Sequence, residues 1–228
     1  MFDTAANIPS AAHEDLGAPG EPASALHLFQ STPLRRRVQA RQALFRAGQA
    51  CHSLFLVHGG YFKSSVASAD GRERVTGLRM RGDILGLESL GLETYACDAI
   101  ALDVSEVWEI PVSRLAMADA RAQSCLSAQL AAQVRRDWEC MLATGTLSAE
   151  QRVVDFLLGL SRRHAQMGFS ADCLDVRLSR AEIGSYLSLQ LETVTRALSH
   201  LQALGLIKVE RRRITINDRQ ALQSRLAA

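Results

Sequence analysis

Between Ser179 and Ile216 the chain spells out two short helices, a tight turn and a hairpin, and few folds accommodate that order. Ser179-Arg180-Ala181-Glu182 has the pattern of a capping box, in which the serine hydroxyl accepts from the backbone three residues on and the acidic side chain reaches back. A helix therefore starts at Arg180, with Ile183, Tyr186 and Leu187 as its buried face. Ser188-Leu189 reads as a tight turn. A second helix lies within Gln190 to Ala203, where Leu191, Val194, Leu198 and Leu201 recur at helical spacing, and it ends before Gly205. Two helices joined by about three residues make a helix-turn-helix. The second helix of such a unit ordinarily enters the DNA major groove N-terminus first.

The outward residues of that second helix suit a groove edge. They are Gln190, Glu192, Thr193, Thr195 and Arg196, followed one turn on by Ser199 and His200. An arginine can donate twice to guanine, and a glutamate can accept from the cytosine amino group. Glu192 and Arg196 stand four residues apart and share a face. The same pair is equally well read as an exposed helical ion pair worth ~0.3–0.5 kcal/mol. The residues after Gly205 tip the balance towards DNA. Leu206-Ile207-Lys208-Val209 and Ile214-Thr215-Ile216 are two strands around Glu210-Arg211-Arg212-Arg213. A hairpin with three arginines at its tip, directly after the second helix, completes a winged helix-turn-helix and places cations against phosphates. Arg180, at the start of the first helix, is a further candidate for the DNA surface. Residues from Glu150 onward carry a net charge of +4 and the preceding 149 carry −2, so the basic excess sits in this third of the chain.

Upstream, residues 34–111 read as β. Ser53–Val57, Tyr61–Ser65, Arg74–Leu78 and Val104–Ile110 are short runs separated by turn signals at Ala47-Gly48, Gly59-Gly60, Asp70-Gly71 and Arg81-Gly82-Asp83. That spacing favours a compact antiparallel barrel or jelly roll. After Pro111, Leu126, Leu130, Val134, Trp138 and Met141 recur every three or four residues, with Arg135, Arg136 and Glu139 off the stripe. This predicts a long amphipathic helix whose stripe is shared between the β domain and a second copy of itself. Gly145 is expected to interrupt it. Ser148-Ala149-Glu150-Gln151 is another capping box. It opens a helix that buries Val153, Val154, Leu157 and Leu160 and stops near Gly168, with a short strand expected at Leu174–Leu178. Residues 1–32, rich in Ala, Pro, Gly and Ser, read as a flexible arm with a short helix near Ala23–Phe29.

The domain plan is thus an arm (1–32), a β domain (33–118), a long helix (119–145) and a winged helix-turn-helix (148–228), an α+β chain. No apolar run approaches the ~18–20 residues that span a bilayer, and the N-terminus has no secretory pattern; the expected compartment is the cytoplasm. The five cysteines, Cys51, Cys97, Cys125, Cys140 and Cys173, are scattered without a CxxC pair, and no metal site is expected. No phosphate-binding glycine loop or Ser/His/Asp arrangement points to an enzyme.

This order, and the residues within it, resemble the Crp/Fnr superfamily of bacterial transcription regulators from about Leu34 to Asp218. The most telling stretches are LSRRHAQMGFS (160–170) and LSRAEIGSYLSLQLETVTRALSHLQALGLIKV (178–209), with FRAG (45–48) and GDILGLESLG (82–91) similar to the family's β-roll turns. The likeness is greatest to the Fnr branch. It implies an N-terminal β-roll of the cyclic-nucleotide-binding type, a homodimer formed through Asp119–Thr144, and a palindromic site with TTGAT-like half-sites. By correspondence Glu192 and Arg196 read the G·C pair and Thr195, where the Fnr branch carries Ser, packs on a thymine. The dimer surface would use Leu126, Leu130, Val134, Asp137, Trp138 and Met141, with Asp137 at an acidic position that can hold back dimerisation. Double-stranded DNA and RNA polymerase are the implied partners, and an activator linked to oxygen, nitrogen oxides or redox state is the implied role.

Departures from the family pattern bear on the signal. Fnr holds an iron–sulfur cluster on four cysteines, three in the arm and one in the strand ending in E-I-P. Here the arm has none, and Trp108 stands at the strand position, so no such cluster is expected. Cyclic AMP needs an Arg-Ser pair where this chain has Tyr95-Ala96, so no cyclic nucleotide is expected either. Three readings of the switch stay open: no ligand at all; haem or nitric oxide, with His27, His52 or His58 as ligands; and oxidation of Cys51, Cys97, Cys125 or Cys140. A β-roll ligand-binding module without specific DNA binding is the rival function. In the DNA head, Ser188 replaces the usual turn glycine, at on the order of 1 kcal/mol if its backbone is left-handed, and Gln190 is a poor N-cap.

Overall fold

The computed structural model describes residues 34–115 and 119–226. The arm at 1–32 and the helix expected near 23–29 lie outside the described residues. Eight strands form the N-terminal unit: β1 (Leu34–Val38), β2 (Ala43–Phe45), β3 (Ser53–Gly59), β4 (Tyr61–Ala67), β5 (Glu73–Met80), β6 (Ile84–Leu85), β7 (Asp98–Ala101) and β8 (Ser105–Pro111). They pair as two four-stranded antiparallel sheets, β1-β8-β3-β6 and β2-β7-β4-β5. Val38, Phe55 and Val107 of one sheet meet Phe45, Phe62 and Ala101 of the other in a continuous core. This is the expected β-roll.

The run Leu54-Phe55-Leu56-Val57 is apolar without alternation, and the reason is that β3 is covered on both faces. Phe55 and Val57 point into the roll. Leu54, Leu56, Trp108 and Ile110 form a second apolar layer outside it. The β3–β4 turn needs glycine at Gly60, whose φ is +86°. A Cβ there would also stand 2.7 Å from the Ser105 Cα.

After a short helix α1 (Val112–Leu115) comes α2 (Ala120–Thr146), capped by Asp119, whose carboxylate accepts from the Ala122 N–H at 2.8 Å. Its 27 residues reach about 40 Å. The first half covers the outer layer of the roll through Ala122 and Leu126, with Leu130 packed beside them. The second half leaves Trp138 62% and Met141 69% exposed, together with Val134 and Leu142. Two expectations are corrected here. Gly145 does not interrupt the helix, which runs through it to Thr146; one glycine costs a helix only ~0.5–1 kcal/mol. Arg136 is not off the buried side but turns inward to pair with Asp83 at 3.4 Å.

The C-terminal unit comprises α3 (Ala149–Gln166), β9 (Cys173–Asp175), α4 (Arg180–Leu187), α5 (Leu191–Ala203), β10 (Ile207–Glu210), β11 (Arg213–Ile216) and α6 (Arg219–Ser224). The capping box of Ser148 and Gln151 is formed. Val153, Val154, Leu157 and Leu160 are buried as the spacing predicts. β9 is shorter than the strand expected over 174–178. Its partner β11 begins at Arg213 opposite Asp175, so beyond one more backbone bond from Val176 to the Arg212 carbonyl there is no strand to pair with. Leu78 and Met80 of β5 join the core of this unit, tying the two halves together. Among the described residues no helix is long and apolar enough to cross a membrane.

Candidate nucleic-acid interface

The turn between α4 and α5 is built by close approach. A Cβ on Gly184 would fall 2.5 Å from the Leu189 carbonyl oxygen, so only glycine lets the turn fold back on α4. The Leu189 N–H donates to the Gly184 carbonyl at 2.8 Å. Ser188 is left-handed, with φ 58° and ψ 45°, and so carries the strain expected of a serine in place of glycine. Its hydroxyl accepts from Arg74 Nη2 of β5 at 2.7 Å. On the last turn of α4, the Ser185 hydroxyl accepts from the Val75 N–H at 2.9 Å. The turn is therefore held against the β-roll at two points. Gln190 stands at the N-cap of α5 and makes no side-chain cap bond, as expected.

α5 buries Val194, Ala197, Leu198 and Leu201. Leu191, expected on that face, is 44% exposed because it opens the helix one turn short of the packed region. On the opposite side Glu192, Thr195, Arg196 and Ser199 are exposed, and Thr193 is partly buried. The Thr195 hydroxyl donates to the Leu191 carbonyl at 2.9 Å, which leaves its methyl as the group it offers outward. Neither Glu192 nor Arg196 is engaged in an ion pair among the described residues. An i to i+4 salt bridge between them is thus not the geometry found. His200 does not belong to this surface. Its Nδ1 pairs with Glu150 of α3, which also takes Arg225 at 2.6 Å, so it braces the domain.

The wing is a two-residue turn, Arg211-Arg212, with Glu210 opposite Arg213. Only two of the three arginines are at the tip; Arg213 sits on β11, between Glu210 and Asp175 in the sheet. Arg211 has φ +56°. Arg180 is partly buried at the start of α4, and its Nη1 is enclosed without a hydrogen-bond partner. Arg180, Arg211 and Arg212 line one cleft with Arg41 and Lys63 of the β-roll. Sequence reasoning missed this cleft, since Arg41 and Lys63 lie more than a hundred residues upstream and no local pattern announces them.

The surface suggested for dimerisation divides in two. Leu126 and Leu130 pack on the β-roll of their own chain. Val134, Asp137, Trp138 and Met141 lie together on the far half of α2, with Val134, Trp138 and Met141 exposed.

The β-roll interior has no cation at the Tyr95-Ala96 position. Tyr95 stacks on Phe45 with centroids 3.8 Å apart and donates to the Ser53 carbonyl at 2.5 Å. Burial pushes its phenol up to about 12. Trp108 lies on the outer layer, stacked on His58 at 4.4 Å. The cysteines do not fit a four-thiolate cluster. Cys51 and Cys97 are buried in the roll, Cys125 and Cys140 are fifteen residues apart along α2, about 22 Å, and Cys173 is in β9. Burial raises the pKa of Cys51, Cys97, Cys125 and Cys140. Cys97 also donates its S–H to Glu88 at 2.8 Å. Raised thiols hold little of the thiolate that oxidation requires.

A two-sheet roll, a long helix and a winged helix-turn-helix with its second helix free define a DNA-binding transcription regulator. Residues 35–119 match the cyclic nucleotide-binding domain family and residues 151–225 match the Crp-like helix-turn-helix domain family. The chain is 34% identical over 193 residues to the anaerobic regulatory protein of Pasteurella multocida, covering 82% of this chain and 70% of that one. It is 33% identical over 193 residues to the fumarate and nitrate reduction regulatory protein of Escherichia coli K12, covering 82% and 76%. The structure of FixK2 from Bradyrhizobium japonicum superposes with a TM-score of 0.77 at 29% identity, over 85% of this chain and 97% of that one. A CRP-family regulator from Thermus thermophilus shares the fold, with a TM-score of 0.71 at 22% identity over 85% and 97%. This chain belongs to the Crp/Fnr family of transcription regulators.

Proposed function

We propose that this regulator binds DNA as a homodimer at a palindromic TTGAT-like site. The observation that carries the reading is the outer face of α5. Glu192 and Arg196 are exposed and uncommitted to each other, and Thr195 has turned its hydroxyl into the helix and its methyl out. In the groove Arg196 would donate to guanine, Glu192 would accept from the paired cytosine, and the Thr195 methyl would meet a thymine methyl. Gln190, Thr193 and Ser199 flank them. Arg180, Arg211, Arg212 and Arg213 would contact phosphates and fix the register.

The partner copy would cover the apolar half of α2, at Val134, Trp138 and Met141, with Asp137 among them. A two-fold protein implies a two-fold site, and two half-sites one helical turn apart suit two recognition helices. RNA polymerase is the expected protein partner, and activation the expected outcome. The relatives named for anaerobic regulation and for fumarate and nitrate reduction favour redox-linked gene control for this chain. We further propose that it works without an Fnr-type cluster and without cyclic AMP, given the dispersed cysteines and the Tyr95-Ala96 pair. A haem bound through His52 or His58 is the weaker alternative.

The test is binding to a TTGAT-N4-ATCAA duplex and to a scrambled duplex across a range of salt. Specific binding, on the order of nanomolar, with a steep salt slope is expected. Equal affinity for both duplexes would overturn the reading in favour of a ligand-binding module. An absorption spectrum of anaerobically purified protein checks the cofactor: a Soret band would establish haem.

A further inference from the structure

The cleft between the β-roll and the wing has a volume of about 630 Å³, within the range of sites that hold small molecules. Its cationic lining is Arg41, Lys63, Arg177, Arg180, Arg211 and Arg212, and the only acidic residue of the lining is Glu182. Two of the six cations are already compensated. Lys63 sits between Glu73 at 2.9 Å and Glu182 at 3.0 Å, and Arg177 takes Asp103 at 2.9 Å and Asp175 at 2.5 Å. The other four have no ion pair among the described residues. Arg180 is the most exacting of them. Its Nη1 is enclosed without a partner, and burial works against its charge. An enclosed guanidinium nitrogen with neither a hydrogen-bond partner nor a counter-charge is a cost that the fold retains.

The backbone carries a second, independent mark. Three non-glycine residues have positive φ among the described residues: Arg41 at 68°, Ser188 at 58° and Arg211 at 56°. Ser188 is the helix-turn-helix turn. The other two are arginines of the lining of this cleft, one from the roll and one from the wing. Glycine or asparagine would hold either turn with less strain. A two-residue hairpin turn itself asks for a positive φ at Arg211, whereas Arg41 keeps a left-handed backbone in the lining of a cleft, where such strain tends to cluster at sites. Ile100, Leu102 and Ile214 give the cleft an apolar part, so it is not a bare charged surface.

We propose that this interdomain cleft binds a small anion carrying two or more phosphate groups, with Arg41 from the β-roll and Arg180, Arg211 and Arg212 from the DNA head as its ligands. Four uncompensated guanidiniums match the charge of two or more phosphates and bind them with paired N–H donors. Because three of these arginines also stand among the candidate DNA phosphate contacts, occupation of the cleft competes with DNA. The site itself does not depend on which DNA sequence the protein reads.

The experiment is calorimetric titration of the full chain with inorganic triphosphate at low salt. One site per chain is expected. Arg41→Asn keeps the left-handed turn accessible and removes a cleft ligand that lies outside the DNA surface. It should weaken triphosphate at least tenfold and leave affinity for the TTGAT-N4-ATCAA duplex unchanged. Arg180→Gln should also weaken triphosphate. Arg36→Gln, which removes an exposed arginine of β1 away from the cleft, should not. Excess triphosphate should weaken duplex binding by the wild type severalfold. Absence of saturable triphosphate binding overturns the proposal, as does equal weakening by Arg36→Gln and Arg41→Asn. Weaker duplex binding by Arg41→Asn with triphosphate unaffected overturns it too, and would make the cleft a path for flanking DNA. Failure to prefer the palindromic duplex, with triphosphate still bound, would touch only the DNA reading.

Discussion

Arg74 of β5 donates from Nη2 to the Ser188 hydroxyl at 2.7 Å, across the boundary between the β-roll and the DNA head. The bond accounts for a residue that local rules disfavour. A left-handed turn residue prefers glycine, yet glycine has no hydroxyl for Arg74. Ser188→Gly should relieve on the order of 1 kcal/mol of strain and lose a hydrogen bond of similar net worth. Global stability in urea should therefore change by less than about 1 kcal/mol, while amide exchange at Val75 and Ser185 accelerates as the head loosens. Unchanged exchange at both amides would contradict this role.

The α5 surface predicts two distinct losses. Arg196→Ala should lose about 1–3 kcal/mol at the TTGAT-like duplex and relax selectivity at one base pair. Arg212→Ala should weaken specific and scrambled duplexes alike and reduce the salt slope by about one. Salt-dependent binding isotherms separate the two. Identical behaviour of both variants would deny α5 a base-reading role.

Asp83 is a buried carboxylate shared by three elements. It follows β5, pairs with Arg163 of α3, stands 3.4 Å from Arg136 of α2 and accepts from the Met80 N–H at 2.8 Å. Desolvation pushes its pKa up, but Arg163, Arg136 and Arg79 outweigh it and hold it below the usual carboxylate range. A carboxyl lowered on folding contributes stability above its unfolded pKa, near 4, and that stability fades as pH falls through the lower folded value. Asp83→Ala at neutral pH leaves the Arg136 and Arg163 charges partly buried and unpaired, and should cost about 3–5 kcal/mol. The variant's denaturation should also lose much of the wild type's steepening below pH 4.

His164 makes a second pH-dependent seam. It is buried in α3, and its Nε2 lies 3.3 Å from the hydroxyl of Tyr61 in β4. Burial lowers its pKa, outweighing the opposing pull of the nearby Cys173 backbone and of the Asp175 charge. The unfolded chain then takes up a proton near pH 6.5 before the folded one does, so stability falls as pH drops below that value. His164→Gln should flatten this part of the stability profile, measured by urea titration from pH 7.5 to 5.5.

The outer half of α2 predicts an oligomerisation phenotype. Trp138 and Met141 are largely exposed on one chain and belong to none of its buried clusters. Trp138→Glu should leave the far-ultraviolet circular dichroism of the fold unchanged while lowering the sedimentation mass to that of one chain, lowering the thermal transition by the lost association energy and weakening palindrome binding. A dimer that persists in Trp138→Glu would place the interface elsewhere.

The sequence by itself determined the local elements and their order. Capping boxes at Ser148 and Ser179, helical spacing at Val194, Leu198 and Leu201, and the paired apolar runs around Arg211-Arg212 are contiguous signals, and each element they announce is formed. They sufficed for the winged helix-turn-helix and the outward face of α5; the Leu126–Met141 stripe announced the long helix, and turn spacing announced an antiparallel barrel or jelly roll that the family resemblance narrowed to the β-roll. Local pattern yields at three points, to distant packing at two and to a small energetic cost at the third. Arg136 turns inward because Asp83 waits there, Gly145 stays helical because one glycine is a small cost, and Val176 leaves its strand because its partner ends. Only the tertiary structure decided that Ser188 answers Arg74, that Leu126 belongs to the roll, and that Arg41 and Arg180 line one cleft. Those pairings join residues far apart in the chain, where periodicity and composition carry no information and three-dimensional packing and burial of charge do.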